Sequence, residues 1–204
     1  MIFRSAKHTR SPNTIEPDFL LAAYAAGYFP MAYSREGSIN WYSPDPRAII
    51  PLDTFKISRS LRQTLKKHLF EIRFNTAFEE VIRSCAARKE TWISEDIIQS
   101  YLQLRNLGYA HSVEAWKSET LVGGLYGVAI GGAFFGESMF SCKRDASKVA
   151  LVYLVQHLRV KKFKLLDTQF ITPHMAQFGA KEISREYYLK LLKQAIQTER
   201  IFMD

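Results

Sequence analysis

The chain has 204 residues, a formal net charge of +8 and 47% apolar side chains. That length allows one compact domain, or a small domain beside a larger one, and the apolar content excludes a disordered chain. The positive balance fits a polyanionic partner such as RNA as well as it fits an ordinary solvated basic surface.

Residues 1–10 are polar and basic and lack the apolar run of a signal peptide. Residues 16–27 predict a short helix, with Glu16 and Asp18 at the end where negative charge suits the helix dipole and Gly27 placed to stop it. The apolar stretch 19–28 is too short to span a bilayer, so the expectation is a cytoplasmic protein with no membrane partner. Pro30, Gly37, Pro44, Pro46 and Pro51 then keep residues 29–52 in loops and short strands. Residues 1–57 are read as a small amino-terminal domain and residues 58–204 as the larger one.

Ser58 or Ser60 would cap a basic helix reaching to about residue 68, with Leu61, Leu65 and Leu69 on its apolar face. Between residues 56 and 73 stand Lys56, Arg59, Arg62, Lys66, Lys67 and Arg73 against the single acid Glu71, which is five of the eight net positive charges. Cations clustered this way suit a phosphate backbone. Residues 70–74 predict a strand, and residues 78–87 and 94–107 predict helices, the second ended by Gly108. Strands at 111–116, 121–130 and 133–140 form the clearest β region, and Gly131-Gly132 marks a tight hairpin between the last two. An amphipathic helix at 145–160 is read with Ala146, Val149, Ala150, Tyr153, Leu154 and His157 on its inner face. A strand at 163–170 stopped by Pro173, a turn and short strand at 179–183, and a helix at 185–197 complete the chain. The order is that of an α+β protein with a mostly antiparallel central sheet flanked by helices.

Cys85 and Cys142 are too far apart in sequence to suggest a metal pair, and two scattered cysteines suit a reducing compartment; each is read as a buried structural thiol in preference to a reactive nucleophile. No His/Cys/Asp/Glu set has metal-ligand spacing, and no glycine loop with nucleotide-binding context is present. Ser112 and Ser138 lack a nucleophile elbow. Two places stand out. In the strand Leu-Leu-Asp-Thr-Gln-Phe (165–170), Asp167 and Gln169 share a face, which is costly to bury without partners. They either orient a polar substrate, or Asp167 bonds local backbone amides for the fold's sake. Glu137 interrupts an apolar strand and either faces a cleft or pairs with a lysine or arginine at the sheet edge. Trp41, Tyr42 and Trp92 fall in loop-like or helix-edge contexts, where aromatics either pack or stack on unpaired bases.

Taken in order, Trp-Tyr-Ser-Pro-Asp-Pro-Arg (41–47), Ser-Arg-Ser-Leu-Arg (58–62), Thr-Trp-Ile (91–93), Ala-His-Ser-Val-Glu-Ala-Trp (110–116), Leu-Val-Gly-Gly-Leu-Tyr-Gly-Val (121–128), Phe-Phe-Gly-Glu-Ser-Met-Phe-Ser (134–141), Ala-Ser-Lys (146–148) and Leu-Asp-Thr-Gln (166–169) resemble the bacterial leucyl/phenylalanyl-tRNA–protein transferases. The resemblance spans nearly the whole chain. It implies a small amino-terminal domain beside a GNAT-like acyltransferase domain. It implies transfer of leucine or phenylalanine, and less well methionine, from Leu-tRNA or Phe-tRNA to proteins with amino-terminal arginine or lysine, marking them for the N-end rule pathway. It assigns the catalytic pair to Asp167 and Gln169, the pocket glutamate to Glu137, and the tryptophans near the tRNA end to Trp41 and Trp92. The side-chain pocket falls on Leu125, Phe134, Met139, Leu154, Leu158 and Leu166. The basic stretch 56–73 would hold the tRNA, no cofactor or metal is called for, and a monomer is expected. The chain departs from the family's habit at Tyr42 (often Trp), Leu154 and Leu158 (often aromatic) and Leu125 (frequently Met). Those changes bear on the choice of amino acid. Strand alternation puts Phe134 and Met139 on opposite faces, and a bulge near Gly136 would bring them together. Two other classes share the composition. A CoA-dependent GNAT acetyltransferase would show a glycine turn before the helix at Asp145, where Cys142-Lys143-Arg144 stands. A non-catalytic RNA-binding module would not need Asp167 and Gln169.

Overall fold

The computed structural model describes residues 14–203. The polar, basic residues 1–10 lie outside them. The first helix, α1 (Pro17–Ala25), starts on a proline that costs no intrahelical bond and stops before Gly27, whose φ of +85° ends it. Strands β1 (Phe29–Ala32) and β2 (Ile39–Tyr42) form a separate two-stranded ribbon, so Trp41 and Tyr42 sit in one of the short strands expected among the prolines. The next strand, β3 (Arg47–Ile49), is fully buried. Ser58 caps α2 (Arg59–Lys66) by accepting from the Leu61 N–H at 3.2 Å. Leu69 falls beyond that helix and is exposed, because the helix ends at Lys66 and no further turn aims it inward.

Strand β4 (Glu71–Phe74), helices α3 (Phe78–Ala86) and α4 (Glu95–Asn106), and strands β5 (Ala110–Lys117), β6 (Thr120–Ile130) and β7 (Ala133–Ser141) follow in order. Ser94 caps α4, and Gly108 closes it at a φ of +82°. Helix α5 (Ala146–Val160) then leads to β8 (Leu165–Gln169), short helix α6 (Pro173–Ala176), β9 (Lys181–Ile183) and α7 (Arg185–Ile196). Pro173 thus opens a helix capped by Thr172, as well as standing after β8, because a proline at the first helical position has no N–H to waste.

The main sheet runs β4-β5-β6-β7-β8-β3-β9, antiparallel throughout except for the β7–β8 pair. The protein is mixed α+β. Alternate residues of the central strands feed two cores. Tyr126, Phe135 and Leu165 face α1, α3, α4 and α7, while Leu125, Phe134 and Leu166 face α2 and α5. Helix α5 is buried over more than one stripe. Leu151, Val152, Val155 and Leu158 join the inner face, and Tyr153 and His157 are half-buried. Its first turn packs so tightly on β6 that a Cβ on Gly123 would come within 2.5 Å of the Ala146 Cβ.

Candidate active site

The site begins with an irregularity in β7. Tyr126 opposes Ser138, but the next residue, Gly127, opposes Gly136. Glu137 is the extra residue of a β-bulge. The bulge resets the alternation, so Phe134 and Met139 both join the core beneath α5. Gly127 makes room for it. A Cβ there would lie 2.2 Å from the Phe135 carbonyl and 2.5 Å from the Phe134 ring.

Beyond the bulge, β7 and β8 part company. They pair only where Ala133, Phe134 and Phe135 face Leu165, Leu166 and Asp167. Between the separating ends opens a cleft of about 590 Å³. Its walls are mostly apolar and include Met31, Trp92, Leu125, Met139, Leu154 and Leu166, while Glu137, Gln169, Ser138 and Arg88 supply polar groups. A mostly apolar cleft with a few convergent polar groups is the form small-molecule sites take.

Glu137 is half-buried at the bulge. Tyr24 donates to its Oε1 at 2.7 Å, Tyr101 to its Oε2 at 3.2 Å, and the Gln169 amide nitrogen to its Oε1 at 3.1 Å. The two tyrosine hydroxyls also touch each other. No lysine or arginine pairs with Glu137 among the described residues. Burial pushes its pKa up to about 7, against the lowering effect of the two tyrosine hydrogen bonds. Burial, reinforced by the neighbouring glutamate, raises both tyrosines well above their ordinary value, so they serve as neutral donors.

Asp167 lies behind the cleft wall, fully buried, and does not line it. Arg47 grips it with two bonds, Nε to Oδ1 at 3.0 Å and Nη2 to Oδ2 at 2.6 Å. Tyr188 of α7 donates to Oδ2 at 2.7 Å, and the Gln169 backbone N–H donates to Oδ1 at 2.9 Å. A carboxylate offers about four acceptor positions, so this one is saturated. The arginine is itself fully buried. It donates to the Gly27 carbonyl at 3.0 Å and lies over the rings of Phe29 and Tyr188, 4.8 and 4.5 Å from their centroids. The bond to the Gln169 backbone matters because Gln169 has a φ of +59°, a region that side-chain-bearing residues seldom adopt. The buried Arg47–Asp167 pair therefore holds Gln169 in a turn that aims its amide at Glu137. The Gln169 side-chain oxygen has no hydrogen-bond partner among the described residues.

Of the residues singled out in the sequence, Glu137, Gln169, Trp92, Leu125, Met139, Leu154 and Leu166 meet at the cleft. Phe134, Leu158 and Asp167 stand buried behind it. Trp41 lies at a second groove, edge-on to Phe19 at 5.3 Å. Lys56, Arg59, Arg62, Lys66 and Lys67 are exposed and make no ion pair among the described residues. Arg73 differs. It is half-buried, pairs with Glu71 at 2.7 Å and Glu119 at 2.8 Å, and lies over Trp116. Sequence reasoning passed over Arg47, Tyr24, Tyr101 and Tyr188. A tyrosine inside an apolar helical stretch was the available signal, because a buried hydroxyl needs a partner. Cys85 is buried, and burial pushes its thiol up to about 12. Cys142 is exposed, contrary to the expectation of two buried thiols, because it follows the end of β7 at the surface. No group of three His, Cys, Asp or Glu side chains could hold a metal among the described residues, and no helix there is long and apolar enough to cross a membrane.

A family model described as leucyl/phenylalanyl-tRNA protein transferase matches residues 49–193, and one for that family's N-terminal domain matches residues 13–45. The chain is 56% identical over 189 residues to a leucyl/phenylalanyl-tRNA–protein transferase of Herpetosiphon aurantiacus, covering 92% of this chain and 98% of the other. It is 53% identical over 193 residues to one of Chlorobaculum parvum, covering 93% and 100%. Among solved structures, L-PGS from Bacillus licheniformis overlays with a TM-score of 0.40 at 16% identity, covering 80% of this chain and 56% of that one, a likeness too slight to carry an argument.

Proposed function

We propose, because this chain belongs to the leucyl/phenylalanyl-tRNA–protein transferase family of aminoacyltransferases, that its cleft moves leucine or phenylalanine, and methionine less well, from aminoacyl-tRNA to the α-amino group of proteins beginning with arginine or lysine. The product would carry an amino terminus that marks it for the N-end rule pathway in the cytoplasm, and the enzyme would act as a monomer. The observation that carries the reading is the junction of an apolar cleft with the Glu137–Gln169 pair at the β7 bulge.

The donor is an ester, already activated, so the enzyme's work is orientation, proton transfer and charge stabilisation. The apolar wall of Leu125, Met139, Leu154 and Leu166 takes the amino-acid side chain, with Phe134 and Leu158 packed behind it. Trp92, and Trp41 farther out, take the terminal base. Glu137 binds the donor's ammonium or a ribose hydroxyl, and either one favours its ionised form. Gln169 positions the incoming amine by accepting from it at the free side-chain oxygen, or the ester carbonyl by donating the second N–H of its amide nitrogen. The amine has an ordinary pKa near 8, so about a tenth of it is neutral at pH 7. The C–N bond forms, the ester C–O bond breaks, and the amine's proton ends on the ribose oxygen. Asp167 acts from behind the wall as a positioning group, holding the Gln169 backbone in the turn that presents its amide. The exposed cations of α2 hold the tRNA backbone.

The test mixes purified protein, labelled Phe-tRNA and no ATP with peptides that begin with arginine, lysine or glutamate. Label should enter the first two and not the third. A protein that labels none of them would overturn the reading.

A further inference from the structure

Beside the cleft lies a second cavity of about 380 Å³ that the chemistry of the amino acid leaves unused. The two share Ser141, Ser147 and His174 in their walls, so they are immediate neighbours. The character changes at that seam. The cleft is largely apolar, whereas the cavity is walled by Ser60, Lys143, Arg144, Asp145 and Lys148. Three cations face one acid. Asp145 pairs with Lys148 at 3.0 Å and stands 3.7 Å from the Arg144 guanidinium. Lys143 is exposed and makes no ion pair among the described residues.

The cavity is also tied to the basic helix. Thr64 of α2 donates to Asp145 Oδ2 at 3.3 Å, and Ser60, in the first turn of α2, forms part of the wall. Arg59, Arg62, Lys66 and Lys67 thus belong to the helix, or to its immediate end, that supplies one wall of the cavity. Lys143, Arg144 and Lys148 stand in the cavity between the cleft and the basic helix α2. Positive groups spaced along a groove are what a phosphodiester backbone needs, and an acyl group has no use for them.

We propose that this cavity is a binding site for the phosphates of the unpaired 3′ end of the donor RNA. Lys143 and Arg144 contact the phosphates directly, and Asp145 fixes Lys148 at the threshold of the cleft. The proposal rests on the reading of the cleft as the aminoacyl site. It adds a place where the chain of nucleotides leaves that site and runs toward α2.

Donors of three lengths test it: phenylalanyl-adenosine, which has no phosphate; phenylalanyl-CCA, which has only the single-stranded phosphates; and full Phe-tRNA. Each is assayed with the wild type, with Lys143→Met/Arg144→Met, and with Arg59→Met/Arg62→Met/Lys66→Met, all replacing exposed side chains and keeping their apolar stems. The cavity variant should lose about tenfold in kcat/KM on the two longer donors. The slope of log affinity against log salt should fall by about 1.4, the value for two single-strand phosphate contacts. Its activity on phenylalanyl-adenosine should stay within about twofold of wild type. The α2 variant should be impaired on Phe-tRNA alone. A cavity variant as active as wild type on phenylalanyl-CCA, or equally impaired on all three donors, would overturn the proposal. So would inhibition of the wild type by desulfo-coenzyme A that the cavity variant abolishes, which would assign the cations to a CoA pyrophosphate. A wild type inactive on every donor would refute the cleft reading instead.

Discussion

Replacing Arg47 by methionine should destabilise the protein by about 3 kcal/mol. The pair it belongs to is wholly inside, with side-chain exposures of 1% and 0% and bond lengths of 2.6 and 3.0 Å. Breaking a buried ion pair by removing one partner costs about 3–5 kcal/mol, because the other charge is stranded in a poorly polarisable medium. The lower end applies here, since Tyr188 and the Gln169 backbone N–H would still donate to the carboxylate. For a chain of this size the loss corresponds to a melting midpoint lower by roughly 6–12 °C. Urea denaturation of Arg47→Met, Asp167→Asn and the double variant gives the coupling energy directly. The expected value is about 2 kcal/mol or more. Arg47→Met within 1 kcal/mol of wild type, or additive single effects, would refute the claim that this pair anchors the site.

Glu137 should make stability fall as pH rises. Its pKa in the folded protein is about 7 against an ordinary 4.5, so between those values the folded state keeps a proton that the unfolded chain has released. That is worth roughly 3 kcal/mol in full. Glu137→Gln should flatten the dependence between pH 5 and pH 8, measured by urea midpoints, and an unchanged profile would count against the buried-carboxylate account. Within the basic stretch, Lys66→Glu/Lys67→Glu should weaken binding of uncharged tRNA severalfold and reduce its salt dependence, whereas Arg73→Ala should leave both nearly unchanged, because Glu71 and Glu119 already occupy that guanidinium. Equal losses in filter binding would show that Arg73 leaves its glutamates for the RNA.

Local signals were read well from the sequence. Ser58 announces α2 as a cap, Gly108 announces the end of α4, and Gly131-Gly132 announces the hairpin, because capping and turn chemistry act within a few residues. Asp167, Gln169 and Glu137 stood out because each is a polar group in an apolar strand. What they touch was hidden. Arg47 and Asp167 are 120 positions apart and meet because β3 inserts between β8 and β9, a pairing that no periodicity reports. Tyr24 and Tyr101 look like core aromatics until the bulge turns Glu137 toward them. The bulge itself is a register shift, and residue types along one strand do not record it. The wider burial of α5 was missed for a related reason, since its amphipathic stripe says nothing of the second layer of side chains packed around it.

In the proposed reaction Asp167, held by Arg47 and working through Gln169, supports transfer at the Glu137 bulge. Single-turnover transfer from labelled Phe-tRNA to an arginine-starting peptide by Asp167→Asn, run well below that variant's melting midpoint, tests it most directly. Its rate should be at least about tenfold below wild type, a loss of roughly 1.4 kcal/mol of transition-state stabilisation. Transfer at the full wild-type rate would contradict it.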